Sequence, residues 1–145
     1  MQRHHLLPLQ LLGQSCFAPM FAALGHAPAR FDDFRTNGLL LPANEEAAMV
    51  LGLPLHRGPH RAYNQMVAER MGRIESEWAR RAGAAPVDAT GHAAYRIVLL
   101  QGALRRRLFD ARRRPIRLNT RDPLGRGLDF AALDALAEEL WRATG

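Results

Sequence analysis

Six histidines punctuate the chain, and most of them fall into two tight groups. His4 and His5 are adjacent, and His56 and His60 lie four apart within Leu55-His56-Arg57-Gly58-Pro59-His60. Imidazole suits zinc and other transition-metal ions, and a ligand pair at this spacing is common in metal sites. In an unbroken helix both rings would share one face. Gly58-Pro59 argues against an unbroken helix, so His56 is expected in the turn before a helix and His60 in its first turn. That arrangement can still converge on one ion. The adjacent pair has a separate logic. Strand neighbours point to opposite faces, so one ring can ligate while the other, if the backbone bends, reaches a water. Hydrolysis of a phosphodiester needs both services. A divalent ion stabilises the pentacoordinate phosphate and the leaving oxygen, and a base of near-neutral pKa activates water. His26 and His92 have no partner in sequence and read as surface or capping residues.

The elements that must position these residues follow from pattern. Residues 5–12 are apolar with Pro8 inside, and read as a short strand or edge segment. Ser15 can cap a short helix from Phe17 to Leu24, closed by Gly25. Asn37-Gly38 is a turn signal, Leu39-Leu40-Leu41 a compact strand, and Pro42 its stop. Asn44 caps a short helix that opens on Glu45-Glu46 and ends at Gly52 and Pro54. A longer helix begins near Pro59, with Tyr63, Met66, Val67, Met71, Ile74 and Trp78 along its apolar face, and closes at Gly83 and Pro86. Asp88 or Thr90 can cap the next helix, which Pro115 stops; Asp129 caps the last. The fold class is α+β with very little sheet. A lone two-stranded hairpin is marginal, so it must lie on a helix.

Length and composition set the frame. The 145 residues suit a single domain, and 48% hydrophobic against 23% charged residues is globular rather than disordered. All basic residues are arginine, the formal net charge is +6, and the pI is near 11.1. That sign favours polyanionic partners, nucleic acid or an acidic protein. Cys16 is alone, which excludes an intrachain disulfide and any Cys-rich zinc motif. The run Leu6–Leu12 has the outline of a signal peptide. Pro8, Gln10, Gly13 and Gln14 interrupt it and no small-x-small cleavage site follows, so no export signal is expected. No apolar run approaches the roughly 20 residues of a membrane span, and no membrane partner is expected.

Taken in order, His4-His5-Leu6-Leu7-Pro8, Asn37-Gly38-Leu39-Leu40-Leu41-Pro42 and His56-Arg57-Gly58-Pro59-His60-Arg61-Ala62-Tyr63-Asn64 resemble the AHH family of His-Me finger (HNH-type) nucleases. These occur as toxin domains in bacterial polymorphic toxin and effector systems. The resemblance implies a ββα-metal core over residues 3–82, a short hairpin packed on helices, with a helical C-terminal extension over 88–145. It implies one divalent ion (Mg, Zn, Ni or Mn) held by His4, His56 and His60. His5 and Asn37 form the catalytic set, His5 as general base and Asn37 steadying the loop that aims it. Tyr63 reads as packing. The family name implies a small residue before the two histidines, where this chain has Arg3, which either crowds the hairpin or contacts phosphate.

The expected activity is therefore endonucleolytic hydrolysis of phosphodiesters, in DNA rather than RNA. The setting is cytoplasmic, or a target cell reached through a secretion system, with an acidic immunity protein as a further partner. Arg3, Arg57, Arg61, Arg112, Arg113 and Arg114 are the candidate nucleic-acid contacts. The wider arginine stretch, from 105–107 onward, reads equally as a phosphate surface or a solvated helix face. The alternative function is a non-catalytic nucleic-acid-binding module that keeps the metal structurally. His5 discriminates, because such a module needs no free imidazole beside the ion. A scaffold or immunity-type protein fits a basic chain poorly.

Overall fold

The computed structural model describes residues 1–25, 30–110, 118 and 131–143. Two short strands, β1 (Gln2–His5) and β2 (Gly38–Leu41), pair antiparallel with Gln2 opposite Leu41 and His5 opposite Gly38. Strand alternation sorts their faces. His4 and its partner Leu39 point into the protein, while Arg3 and its partner Leu40 face outward.

Around the hairpin run α1 (Ala18–Leu24), the single turn α2 (Phe34–Asn37), α3 (Glu45–Leu51), α4 (Arg61–Ala82), α5 (Pro86–Phe109) and α6 (Ala131–Arg142). One apolar cluster joins β2, α1, α4, α5 and α6: Leu6, Leu7 and Leu11 meet Met66, Val67 and Met71 of α4 and Ile97, Leu104 and Leu108 of α5. Arg70 of α4, itself buried, grips Asp134 of α6 with two parallel bonds of 2.9 and 2.7 Å. Such a forked pair fixes geometry as well as adding attraction.

Several sequence expectations are met. Asn44 caps α3 by accepting from the Ala47 N–H at 2.8 Å, and Gly52 ends it in the left-handed region at φ 64°. Leu39–Leu41 is a strand, and α4 closes at Gly83. Others need correction. Residues 5–12 are not a strand. Pairing ends at His5, and Leu9–Gly13 forms a 3-10 turn behind Pro8, which has no N–H to continue a ladder. Ser15 opens a 3-10 turn through Phe17 instead of capping α1 with its side chain. Asn37-Gly38 is no hairpin turn, since Asn37 closes α2 and Gly38 opens β2. Neither Asp88 nor Thr90 is the cap of α5, which starts at Pro86 with Asp88 in its first turn. α5 ends at Phe109, ahead of Pro115; Pro115, His26 and the Asp129 cap lie outside the described residues.

Gly38 has a steric reason to be glycine. A Cβ there would overlap the Phe34 ring, which lies against the strand. Gly72, inside α4, has open space around the same position. Gly38→Ala is therefore expected to destabilise the fold by about 1–3 kcal/mol through overpacking. Gly72→Ala should instead stabilise it by about 0.5–1 kcal/mol, as for glycine in any helix interior. Urea denaturation of the two variants checks both signs.

Candidate metal centre

Three histidine rings meet at the junction of β1, the α3–α4 loop and the start of α4. Ring centroids lie 5.1 Å apart for His4 and His56, 5.5 Å for His4 and His60, and 4.4 Å for His56 and His60. One ring nitrogen from each can be chosen so that all lie within 4.8 Å of one another. Different local devices bring each ring there. His4 arrives by strand alternation, with its ring 4.9 Å from Tyr63. His56 is pinned by its N–H to the Pro42 carbonyl at the end of β2, 2.8 Å away. Gly58 then turns the chain at φ 79°, a conformation L side chains rarely adopt, and this lets His60 fold back as the N-cap residue of α4. His60 thus sits one position before the helix, not in its first turn.

The outer hydrogen bonds choose the tautomers. His60 Nδ1 faces the Leu118 carbonyl at 3.3 Å, and His56 Nδ1 faces the Gln2 amide oxygen at 3.0 Å. The Leu118 carbonyl can only accept, so His60 Nδ1 carries the proton and Nε2 keeps its lone pair; the Gln2 amide oxygen favours the same tautomer at His56. A ligand imidazole normally has its second nitrogen held in this way. His4 completes the pattern differently. It is 3% exposed, and its Nε2 is buried with no hydrogen-bond partner among the described residues. A buried ring nitrogen without a partner carries a desolvation cost that a cation would remove. The donor set therefore fits a nitrogen-preferring divalent ion.

Burial, and the neighbouring His56, His60 and His5, hold His4 down to about 3. Burial and His60 hold His56 down to about 4, and burial lowers His60 against the opposing pull of the Leu118 carbonyl. All three are thus neutral at pH 7, the state a ligand needs.

His5 lies outside the trio but opens onto the same cleft, together with Arg3 and Asn64. Its ring meets the edge of Phe34 at 6.1 Å, and the Arg3 guanidinium lies over that same phenyl ring at 4.6 Å. Arg3 points outward, so it does not crowd the hairpin. Arg57 and Arg61 are exposed beside the histidine loop, whereas Arg112, Arg113 and Arg114 lie outside the described residues.

Asn37 is fully buried, 0% exposed, so it cannot touch a substrate; what it can do is position. Its amide nitrogen donates to the Leu7 and Phe31 carbonyls, and its oxygen accepts from the Leu7 N–H and from Gln101. That is every hydrogen bond the side chain can make. Its own carbonyl also accepts from the Leu6 N–H at 2.8 Å. Tyr63, fully buried, donates to the Leu6 carbonyl at 2.8 Å. Burial pushes its phenol far above the usual range, so it packs and holds backbone without titrating. Sequence reasoning missed Gln2, Phe34, Gln101 and the Leu118 carbonyl. None carries a spacing signal, because each acts through a contact distant in sequence.

A small α+β protein with a three-histidine cleft at the root of a two-stranded hairpin is the class this geometry defines. Residues 1–89 match the AHH family, described as a nuclease family of the HNH/ENDO VII superfamily with conserved AHH, and the chain belongs to it. Arg3 occupies the alanine position of that motif, on the outward face where its bulk meets no obstacle. No curated protein and no solved structure matches the chain significantly.

The lowered histidine values fix a pH dependence for the metal-free protein. The unfolded chain takes up protons as pH falls through 6.5, while the folded chain resists until about 4 at His56 and about 3 at His4. Their contribution is complete above 6.5 and is lost progressively below it. In EDTA, Tm should fall from neutrality down to pH 4, and His4→Phe should flatten that fall. A wild-type Tm that is level over this range would contradict the buried neutral cluster.

Proposed function

We propose that the protein is a metal-dependent endonuclease that hydrolyses phosphodiester bonds in DNA, working from a ββα-metal core made of β1, β2 and α4. Family membership supports the nuclease class. The observation that carries the rest is the buried, unpartnered His4 Nε2 in a trio that can bring one ring nitrogen from each member within 4.8 Å of the others, with the Nδ1 atoms of His56 and His60 already engaged and His5 on the same cleft. His4, His56 and His60 would hold the ion. When bound, it supplies positive charge for the phosphate and the departing 3′ oxygen. His5 takes the proton from the attacking water, being the cleft imidazole left outside the trio. Asn37 keeps the Leu6-Leu7 backbone fixed behind it. Arg3, Arg57 and Arg61 contact flanking phosphates, which orients the backbone without reading sequence.

The net charge of +6 supports a polyanionic substrate. The same charge supports an acidic immunity protein as the neutralising partner of a bacterial toxin or effector domain. Among the described residues, no helix is long and apolar enough to cross a membrane.

Purified protein should cut plasmid DNA in the presence of divalent ion and stop in EDTA. Cleavage of RNA alone would move the substrate to RNA and leave the site reading intact. His5→Ala should keep fold and metal affinity while kcat drops by about 10²–10⁴-fold, the usual contribution of a general base. His60→Ala should lose metal affinity and activity together. A His5→Ala protein that cuts at the wild-type rate would place the base elsewhere, whereas a wild-type protein that binds DNA and cuts neither DNA nor RNA would favour the non-catalytic binding module.

A further inference from the structure

The family match ends at residue 89, within the first turn of α5. The remainder of that helix nevertheless reaches the machinery behind the cleft. Gln101 Nε2 donates to Asn37 Oδ1 at 3.3 Å within the buried interior. One turn further, on the same face, Arg105 Nη2 donates to the Arg35 and Thr36 carbonyls at 3.3 and 3.0 Å.

These contacts fall where α2 needs them. A helix of one turn leaves its last carbonyls without intrahelical partners. A guanidinium at a helix C-terminus supplies donors to those carbonyls and a favourable charge. Gln101 completes the Asn37 oxygen, whose other bond takes the Leu7 N–H at 2.8 Å. Both contacts bear on α2, which also carries Phe34 against His5 and Arg3.

We propose that Gln101 and Arg105 are positioning residues for the nuclease reaction: a latch from α5 that sets the Asn37 carboxamide and, through it, the Leu6-Leu7 backbone following His4-His5. Its kinetic part rests on the nuclease reading above; its structural part does not. Arg105 is only half-buried, so a purely apolar brace would not need its guanidinium.

The test uses full-length Gln101→Leu, Arg105→Met and Arg105→Lys. Four quantities are measured: kcat and KM on plasmid DNA, Mn²⁺ affinity by calorimetry, Tm, and hydrogen exchange of the Leu7 amide. Small misplacement of a reacting group costs on the order of 10²-fold, so kcat should fall by roughly 10–100-fold in Gln101→Leu and Arg105→Met. KM and Mn²⁺ affinity should hold, because His4 is placed by its pairing with Leu39, and His56 and His60 by the Pro42 carbonyl and the Gly58 turn. Leu7 amide exchange should accelerate in both; Tm should change little in Arg105→Met, whose bonds lie at the surface, and Arg105→Lys, which restores a donor, should recover part of kcat. If kcat, KM and Tm fall together and lysine rescues nothing, α5 is only a brace and the proposal is overturned. An unchanged kcat overturns it as well. If the wild type cuts neither DNA nor RNA, the nuclease reading fails by itself, and Leu7 exchange alone decides the latch. Faster exchange in Arg105→Met then supports it, and unchanged exchange removes it. Arg105 is the safer variant, because its bonds lie at the surface and its loss leaves no buried polar group.

Discussion

A buried carboxamide must satisfy its hydrogen bonds or weaken the fold, and Asn37 satisfies all of its own across segments remote in sequence. It ties the chain after β1 to the start of β2, the loop at Phe31 and the middle of α5. A hairpin of four residues per strand has little stability alone. The Asn37 bonds do for this hairpin what a longer sheet would do. They also fix the direction in which the chain leaves His5, so the support of the fold and the support of the cleft are the same interaction.

From that anchor, strand alternation divides the work of three consecutive residues. His4 turns inward to the other two rings and Tyr63, and Arg3 turns outward over Phe34. His5, at the end of the pairing, opens onto the cleft. A buried imidazole among imidazoles is held neutral, because protonation would place like charges together in a poorly solvated space. The arrangement is thus ready for a cation and unfavourable for a proton. Gly58 and Gly38 are the backbone allowances behind it, one for the reversal between His56 and His60 and one for the Phe34 ring.

The arginine-rich C-terminal half divides once the structure is seen. Arg105 caps α2, Arg107 is 4% exposed, and only Arg106 of this triplet is solvent-facing. The first triplet is therefore not one continuous phosphate-facing surface. Helical periodicity explains the split: neighbours on α5 differ by about 100° in direction, so a run of like residues cannot share one environment.

The sequence by itself determined the order of the chemistry-bearing residues, the α+β class, the cap at Asn44, the strand at Leu39–Leu41 and the long apolar face from Tyr63 to Trp78. Each of these rests on local chemistry or on a period that can be counted along the chain. The His56–His60 pair was legible too, because Gly58-Pro59 announces a turn between them. Tertiary structure alone decided that pairing stops at His5, that Asn37 ends a helix in place of a hairpin turn, and that Gln2, Phe34, Gln101 and the Leu118 carbonyl hold the cleft residues. Those contacts join residues separated by tens of positions, among them Gln2 to His56 and Asn37 to Gln101. Nothing in local propensity encodes such partners. They are chosen by which buried polar groups still lack a hydrogen bond once the apolar core has closed.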